Sequence, residues 1–312
     1  MTRNGIASSC VDRALSSLNH RGPDGHGTWT SGDKRWILGH TRLSIIGLSN
    51  GEQPMTSPDG KVHTVVNGEF YDYREIRERL RHDGCQFASD SDSEIALHLY
   101  QRDGMQVAPQ LRGEFAVIIA DERENTMIAI RDRFGIKPLY YSIINGDVFF
   151  ASEIKALLAL GVPAAWDLQG ALGGMARPHE QTEFAGINAV PQGCYAVAKD
   201  GAVRIYSYWD WEIPTADEMK RDARTEAEVI AEFRSVLMDS VQQRLVADVE
   251  VASYLSGGID SCAVLGLAQQ AMARPIRAFT LTFDNPLYDE AAIAEKQAKF
   301  VGASYHPIPI TG

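Results

Sequence analysis

Up to about residue 206 the apolar positions come in short runs, and beyond that they recur at helical spacing between longer apolar stretches. Trp36–Ile46, Val62–Val66, Phe115–Ala120 and Thr126–Ile130 are rich in β-branched and aromatic residues, which predicts strands. Tyr71–His82 places Ile76 and Leu80 one helical turn apart, and Ser93–Gln101 does the same with Ile95 and Leu99, so two helices are predicted between them. Grouped strands with separated helices predict an α+β layered domain rather than strict βαβ winding.

The strongest break falls over residues 207–226, where Tyr208-Trp209-Asp210-Trp211 gives way to Pro214-Thr215 and a polar stretch. The expected domains are therefore 1–206 and 227–312, joined by a linker. After the break, Thr225 and Glu228 form a T-x-x-E capping box, followed by the apolar series Val229, Phe233, Val236, Leu237, Val241 and Leu245. Next come a strand over Val249–Leu255, a helix over about Ser261–Met272 and a strand over Ile276–Phe283. A helix over Asp289–Val301 and a strand near Ser304–Ile308 close the order. That order predicts a parallel α/β sheet. Three strands are fewer than the roughly five or six of an average sheet, so the second domain is expected to be incomplete at Gly312.

The remaining bulk properties narrow the function by exclusion. The chain has 312 residues, enough for two domains, with 45% hydrophobic and 23% charged residues. A net charge of −11 and the lack of any Lys/Arg-rich run argue against nucleic acid and against an anionic membrane surface. No window of about 20 apolar residues is present, and Met1-Thr2-Arg3-Asn4 leads into no apolar signal region. A cytoplasmic protein is expected. Cys10, Cys85, Cys194 and Cys262 lack C-x-x-C spacing, which points to reduced, mostly buried thiols rather than a metal site.

Between an apolar strand and a helix lies Ser256-Gly257-Gly258-Ile259-Asp260-Ser261. Glycines permit close backbone approach, and a following helix offers free N–H groups and the positive end of its dipole to an anion. The serines add hydroxyl donors. Asp260 opposes a phosphate by charge, which suggests a bridging Mg²⁺. No G-x-x-x-x-G-K-[ST] occurs, so this is not a Walker A loop. A plain glycine-rich βα turn would account for Ser-Gly-Gly alone. The full run of six resembles the PP-loop of ATP pyrophosphatases, which split ATP into AMP and pyrophosphate. The resemblance implies that residues 256–261 hold ATP, that Asp260 helps hold Mg²⁺, and that Leu255 and Leu281 contact adenine. Tyr288-Asp289-Glu290 resembles the helix opening of asparagine synthetases, although an acidic helix start suits the dipole equally well.

The first half carries an ordered set of fragments: His20-Arg21-Gly22-Pro23-Asp24-Gly25, Thr41-Arg42-Leu43-Ser44-Ile45, Asn67-Gly68-Glu69 and Ser91-Asp92-Ser93-Glu94, then Asp132–Tyr140 and Phe150–Lys155. Singly these read as turns, caps and surface ion pairs. Together they resemble the class II glutamine amidotransferase domain of glutamine-dependent asparagine synthetases. That implies an N-terminal-nucleophile α/β/β/α sandwich followed by an incomplete PP-loop α/β domain. The substrates implied are glutamine, aspartate and ATP, and a homodimer is left open. Glutamine's α-carboxylate suits a bidentate Arg42, and its α-ammonium suits Asp92 and Glu69. Asn67 and the Gly68 N–H suit an oxyanion hole, a contribution of roughly 3–4 kcal/mol. The resemblance assigns these roles to the same residues and adds Leu43 to the glutamine set.

Two departures qualify that expectation. The family's nucleophile is a cysteine at the mature N-terminus in an M-C-G-I-A pattern, its α-amine acting as base. Here Asn4 precedes Gly5-Ile6-Ala7, and fewer residues than usual separate this echo from His20. Thr2 and Cys10 are the remaining N-terminal nucleophile candidates, both weak. The chain as written is expected not to hydrolyse glutamine. The family's synthetase domain also continues past the point matching Gly312, so a fragment of a longer gene product is expected. Relatives that form β-lactams or lasso peptides without the cysteine, and a non-catalytic glutamine-binding protein, stand as alternatives.

Overall fold

The computed structural model describes residues 2, 7–168, 172, 180–285 and 287–310. They form two compact units, Met1–Glu212 and Ile213–Gly312. The first unit opens with α1 (Ser8–Ser17) and the hairpin β1 (Gly25–Thr30) and β2 (Ile37–Arg42). There follow β3 (Met55–Thr56), β4 (Val62–Phe70), α2 (Tyr73–His82), α3 (Glu94–Asp103), α4 (Val107–Gln110), β5 (Gly113–Asp121) and β6 (Thr126–Arg131). The unit closes with β7 (Tyr140–Ile144), β8 (Asp147–Ala151), α5 (Ile154–Ala159), β9 (Ile187–Ala189), β10 (Cys194–Lys199) and β11 (Ala202–Ser207).

An antiparallel sheet in the order β11-β10-β6-β5-β4-β3 forms the centre. Successive strand residues face opposite sides, and both sides of β4 are covered. Val65 packs with Trp36, Leu38 and Val148, so β2 and β8 lie over the same face. Val62, Thr64 and Val66, on the other face, are no more than 2% exposed, and α3 packs on β4 there. The second β layer consists of two separate pieces, β1–β2 and β8–β7–β9. Ala14 of α1 and Ala156 and Leu157 of α5 cover it from outside, clustered with Ala151 and Ile187. The layers are thus α/β/β/α, as the resemblance implies.

Gly68 shows how tightly the central sheet is drawn. It pairs with Phe115 across β4–β5 at φ +140°, and a Cβ there would lie 1.8 Å from the Glu114 carbonyl oxygen. No other residue type fits without moving β5.

The second unit contains α6 (Ala216–Arg221), α7 (Glu226–Gln243), β12 (Ala252–Tyr254), α8 (Ile259–Ala271), β13 (Arg277–Phe283), α9 (Ala291–Val301) and β14 (Ser304–Ile310). Its strands are parallel in the order β12-β13-β14, with a core of Leu255, Leu265, Ala268, Ile276, Ala278, Ala294 and Ala298. Thr225 and Glu228 make the expected capping box at α7. The apolar series on α7 is not buried as its spacing predicts: Phe233 and Val236 are 67% and 60% exposed, and of α7 only Val241 joins the core. No described helix is long and apolar enough to cross a membrane.

Candidate functional site

A pocket of about 170 Å³ opens where the end of β2, the turn of β4 and the loop before α3 meet. Arg42, Leu43, Asn67, Gly68, Glu69 and Asp92 all line it, so three distant segments converge on one place.

The motifs themselves tie these segments together. Asp24 of the His20–Gly25 fragment accepts a hydrogen bond from the Ser44 N–H at 2.7 Å, and Arg21 donates to Glu153 at 3.0 Å. Arg42 donates to the Gly47 carbonyl at 2.5 Å and to those of Leu48 and Ile46. Both terminal nitrogens of its guanidinium therefore hold the loop that follows it. Of the five N–H donors of a guanidinium, these bonds leave two.

Asp92 is 4% exposed and accepts the Phe70 N–H at 2.8 Å. Burial pushes its carboxyl above the usual carboxylate range, and the hydrogen bonds from Phe70, Ser93 and Ser91 only partly oppose this. Its neighbour Glu94 anchors the loop. Burial pushes that carboxyl up, but bonds from His98, Ser89 and the Ala88 N–H outweigh burial and hold it at about 2. Arg77, buried beside Glu94 at 3.6 Å, also holds the Ser89 carbonyl. A rigid ionic clamp thus presents Asp92 to the pocket.

The Asn67 side-chain nitrogen is buried and has no hydrogen-bond partner. Such a donor costs about 1–3 kcal/mol unless something accepts from it, and it borders the pocket.

Arg21, His40, Gln53 and Lys137 also line the pocket, although the motifs gave none of them a role there. His40 sits two residues before Arg42 on β2 and so faces the same side. That spacing is the signal that could have revealed it. Burial lowers its pKa to about 4, so it is neutral at pH 7, bonded to the Val66 carbonyl at 3.0 Å. The Gln53 amide pairs both polar groups of Val66, at 2.6 and 3.1 Å. Lys137 is placed by Asp132, which is fully buried and accepts the N–H groups of Phe115, Phe134, Ile136 and Lys137.

Among the described residues no cysteine lines the pocket. Thr2 is buried at the opposite end of β2, its N–H bonded to the Arg35 carbonyl at 2.7 Å. Seven residues of nearly extended chain, at about 3.3 Å each, put it roughly 20 Å from Arg42. Cys10 lies on α1, its sulfur accepting from Arg13 at 3.2 Å. Neither stands where a nucleophile would be needed. Asn4, Gly5 and Ile6 lie outside the described residues.

In the second unit the Ser256–Ser261 run spans the turn after β12 and the first residues of α8. Gly257 has φ +84°, the left-handed region that glycine tolerates. The Ser256 and Ser261 hydroxyls lie 3.1 Å apart, and Ser261 also bonds the Gly258 carbonyl. No side chain caps the start of α8, which leaves its first N–H groups to an anion. Ile259, Asp260 and Leu281 are exposed. Leu255 differs from its expected role. Its side chain is 2% exposed within the core, and its backbone is bonded to Phe279 and Thr280. Among the described residues no three His, Cys, Asp or Glu side chains gather to hold a metal. A Mg²⁺ at Asp260 would therefore draw most of its ligands from phosphate oxygens and water, which is how Mg²⁺ usually binds nucleotides.

Residues 2–209 match the family described as a glutamine amidotransferase domain, and residues 232–312 match asparagine synthase. The chain is 38% identical to an amidase of Gibberella zeae over 97% of its own length and 48% of that protein. It is 34% identical to glutamine-hydrolysing asparagine synthetase 1 of Bacillus subtilis, over 91% of its own length and 44% of that protein. It therefore spans about half the length of the curated relatives it matches. Its fold is similar to that of glutamine phosphoribosylpyrophosphate amidotransferase of B. subtilis, with a TM-score of 0.52 at 16% identity, covering 98% of this chain and 80% of that one.

Proposed function

The chain belongs to the glutamine amidotransferase family, with an asparagine synthase domain after that half, and from that premise we propose that it holds the two substrate sites of an ATP-dependent amide ligase. The first unit takes glutamine. Arg42 pairs with its α-carboxylate, Asp92 and Glu69 receive its α-ammonium, and Leu43 and Gly68 shape the walls. The Asn67 NH₂ and the Gly68 N–H donate to the oxygen of the side-chain amide, as oxyanion-hole donors do. What supports this reading above all is the convergence of those six residues on one pocket around an unpartnered Asn67 amide.

The second unit takes ATP at Ser256–Ser261, with Leu281 beside the base. A carboxylate needs a leaving group before an amine can displace it. We propose aspartate as the acid. Its β-carboxylate attacks the α-phosphate, pyrophosphate leaves, and ammonia then displaces AMP to give asparagine. Mg²⁺, when bound, offsets phosphate charge. Free thiols throughout and these substrates fit a reducing cytoplasm.

Calorimetric titration with glutamine tests the first site. Saturable binding, weakened at least tenfold by Asn67→Ala and by Arg42→Ala, is expected. Equal affinity for glutamine, asparagine and glutamate would sink the assignment. Because no cysteine lines the pocket among the described residues, ammonia release from glutamine is expected to stay at background.

A second reading keeps the chemistry and changes the acid. The amidase relatives are 38% identical, against 34% for asparagine synthetase 1. Thermal stabilisation by ATP together with a carboxylic acid other than aspartate, and none with aspartate, would favour it.

A further inference from the structure

β4 has a strand neighbour along only part of one edge. β3 pairs with it at His63 and Thr64, and among the described residues no strand lies on that side from Val66 to Phe70. Alternation along an antiparallel strand turns the backbone groups of every second residue to this edge. Val66 and Phe70 show the parity. Val66 bonds Gln53 through both its N–H and its carbonyl, at 2.6 and 3.1 Å, and the Phe70 N–H donates to Asp92 at 2.8 Å. Gly68 stands between them, so its N–H turns the same way, toward the pocket it lines. Asn67 has the other parity and pairs with Ala116 of β5.

The Gln53 carboxamide thus does at Val66 what a neighbouring strand would do. Its Oε1 accepts, its Nε2 donates, and Nε2 also reaches the Ser93 hydroxyl at 3.4 Å, beside Asp92. His40 stands 3.0 Å from the same Val66 carbonyl. A carbonyl oxygen can only accept, so the His40 Nε2 carries the proton. The consequence falls on Asn67. The Val66 carbonyl and the Asn67 N–H belong to one planar peptide group. Gln53 and His40 hold one side of that plane, and β5 holds the other. With the plane held at both sides, the Asn67 side chain leaves the strand in one direction, and its unpartnered NH₂ stands at the pocket.

We propose that Gln53, seconded by His40, is the positioning residue of this pocket: standing in for a strand at Val66, it fixes where the Asn67 NH₂ and the Gly68 N–H present themselves to the side-chain amide of the ligand. Such donors act only when held within about 0.5 Å of their working place. In this role Gln53 and His40 work through Asn67 rather than on the ligand. The proposal deepens the glutamine reading and rests on it for the identity of the ligand.

The test compares wild type with Gln53→Ala by calorimetric titration with glutamine and with L-norvaline, which keeps the α-carboxylate and α-ammonium but has a methyl group in place of the amide. Gln53→Ala is expected to weaken glutamine binding about tenfold and norvaline binding less than about twofold. In an Asn67→Ala background it is expected to cost glutamine almost nothing more, as residues acting through one group do. His40→Ala is expected to move the same ratio in the same direction, by about threefold. A residue that only supports the fold would weaken both ligands alike, so equal losses, or unchanged glutamine affinity, would overturn the proposal. Should Gln53→Ala fail to fold, Gln53→Met keeps the volume without the bonds and carries the comparison. The ¹⁵N-labelled side-chain NH₂ of Asn67 gives a readout free of ligand: it is expected to be rigid on the ps–ns timescale in wild type and mobile in the Gln53 variant. Equal rigidity in both would also overturn the proposal. If wild type binds no glutamine, the pocket reading falls, and the ligand-free Asn67 signal decides the role of Gln53 by itself.

Discussion

In the first unit, residues from three separated segments meet in a pocket whose Asp92 is buried beside the clamped Glu94. In the second, six consecutive residues make an exposed turn whose geometry needs little beyond Gly257 and the start of α8. The difference separates two ways of building a site. A pocket that takes glutamine, as proposed, would need fixed charges in a low-dielectric setting, and only long-range packing supplies those. A phosphate cradle uses backbone N–H groups and a helix end, which a local sequence can supply by itself. Mutations in the pocket should therefore cost glutamine binding and the stability of the first unit, whereas mutations in the turn should cost ATP binding and leave the first unit untouched.

The largest effect is expected at Asp92. Asp92→Asn removes the proposed partner of the ligand ammonium, and glutamine affinity should fall by about 100-fold or more, in the 2–5 kcal/mol range of such truncations. Retained affinity would show that the ammonium sits elsewhere. Burial raises the Asp92 pKa, so the carboxylate is lost on acidification at a higher pH than the ordinary Asp value of about 3.9. Glutamine affinity should fall in step, which a pH series of titrations would check.

Glu94→Gln comes next and tests the clamp. A Glu near 4.3 when unfolded and at about 2 when folded contributes about 3 kcal/mol. Because the folded pKa is depressed, that stability is present above the unfolded value and is lost as pH falls through about 2. Urea unfolding at pH 7 should show a loss of that size in the first unit, and the gap between wild type and variant should close toward pH 2. An unchanged midpoint at pH 7 would remove the clamp from the account.

The smallest effect is expected at the turn. Gly257→Ala at φ +84° costs roughly 1–2 kcal/mol of local strain. We expect ATP affinity to fall about tenfold while glutamine affinity stays unchanged. A matching loss of glutamine affinity would contradict the contrast between the sites.

Much of this was legible in the sequence because the relevant signals are local. Ile76 with Leu80 and Ile95 with Leu99 lie on α2 and α3, and Ser256–Ser261 makes the turn its composition implied. The six pocket residues were named by the order of their motifs, and the fold brings them together. What escaped is which further side chains join the pocket, and that depends on long-range geometry. Arg21 reaches the pocket only because β2 and α5 are near neighbours of its loop, and Gln53 only because it pairs with Val66. Lys137 is set by Asp132, whose four backbone partners cannot be read from spacing. The apolar face of α7 misled in the other direction. Spacing specifies which side is apolar but not whether anything covers it, and Phe233 stays exposed. Leu255 likewise points into the core, because alternation along the chain puts it on the covered face, opposite the exposed Tyr254.

The central claim is that Asn67 holds a donor in wait for the glutamine amide. Selective ¹⁵N-asparagine labelling makes its side-chain NH₂ observable. Titration with glutamine should shift that resonance in step with calorimetric binding, and glutamate should leave it in place. A glutamine-saturated protein whose Asn67 NH₂ signal does not move would contradict the account.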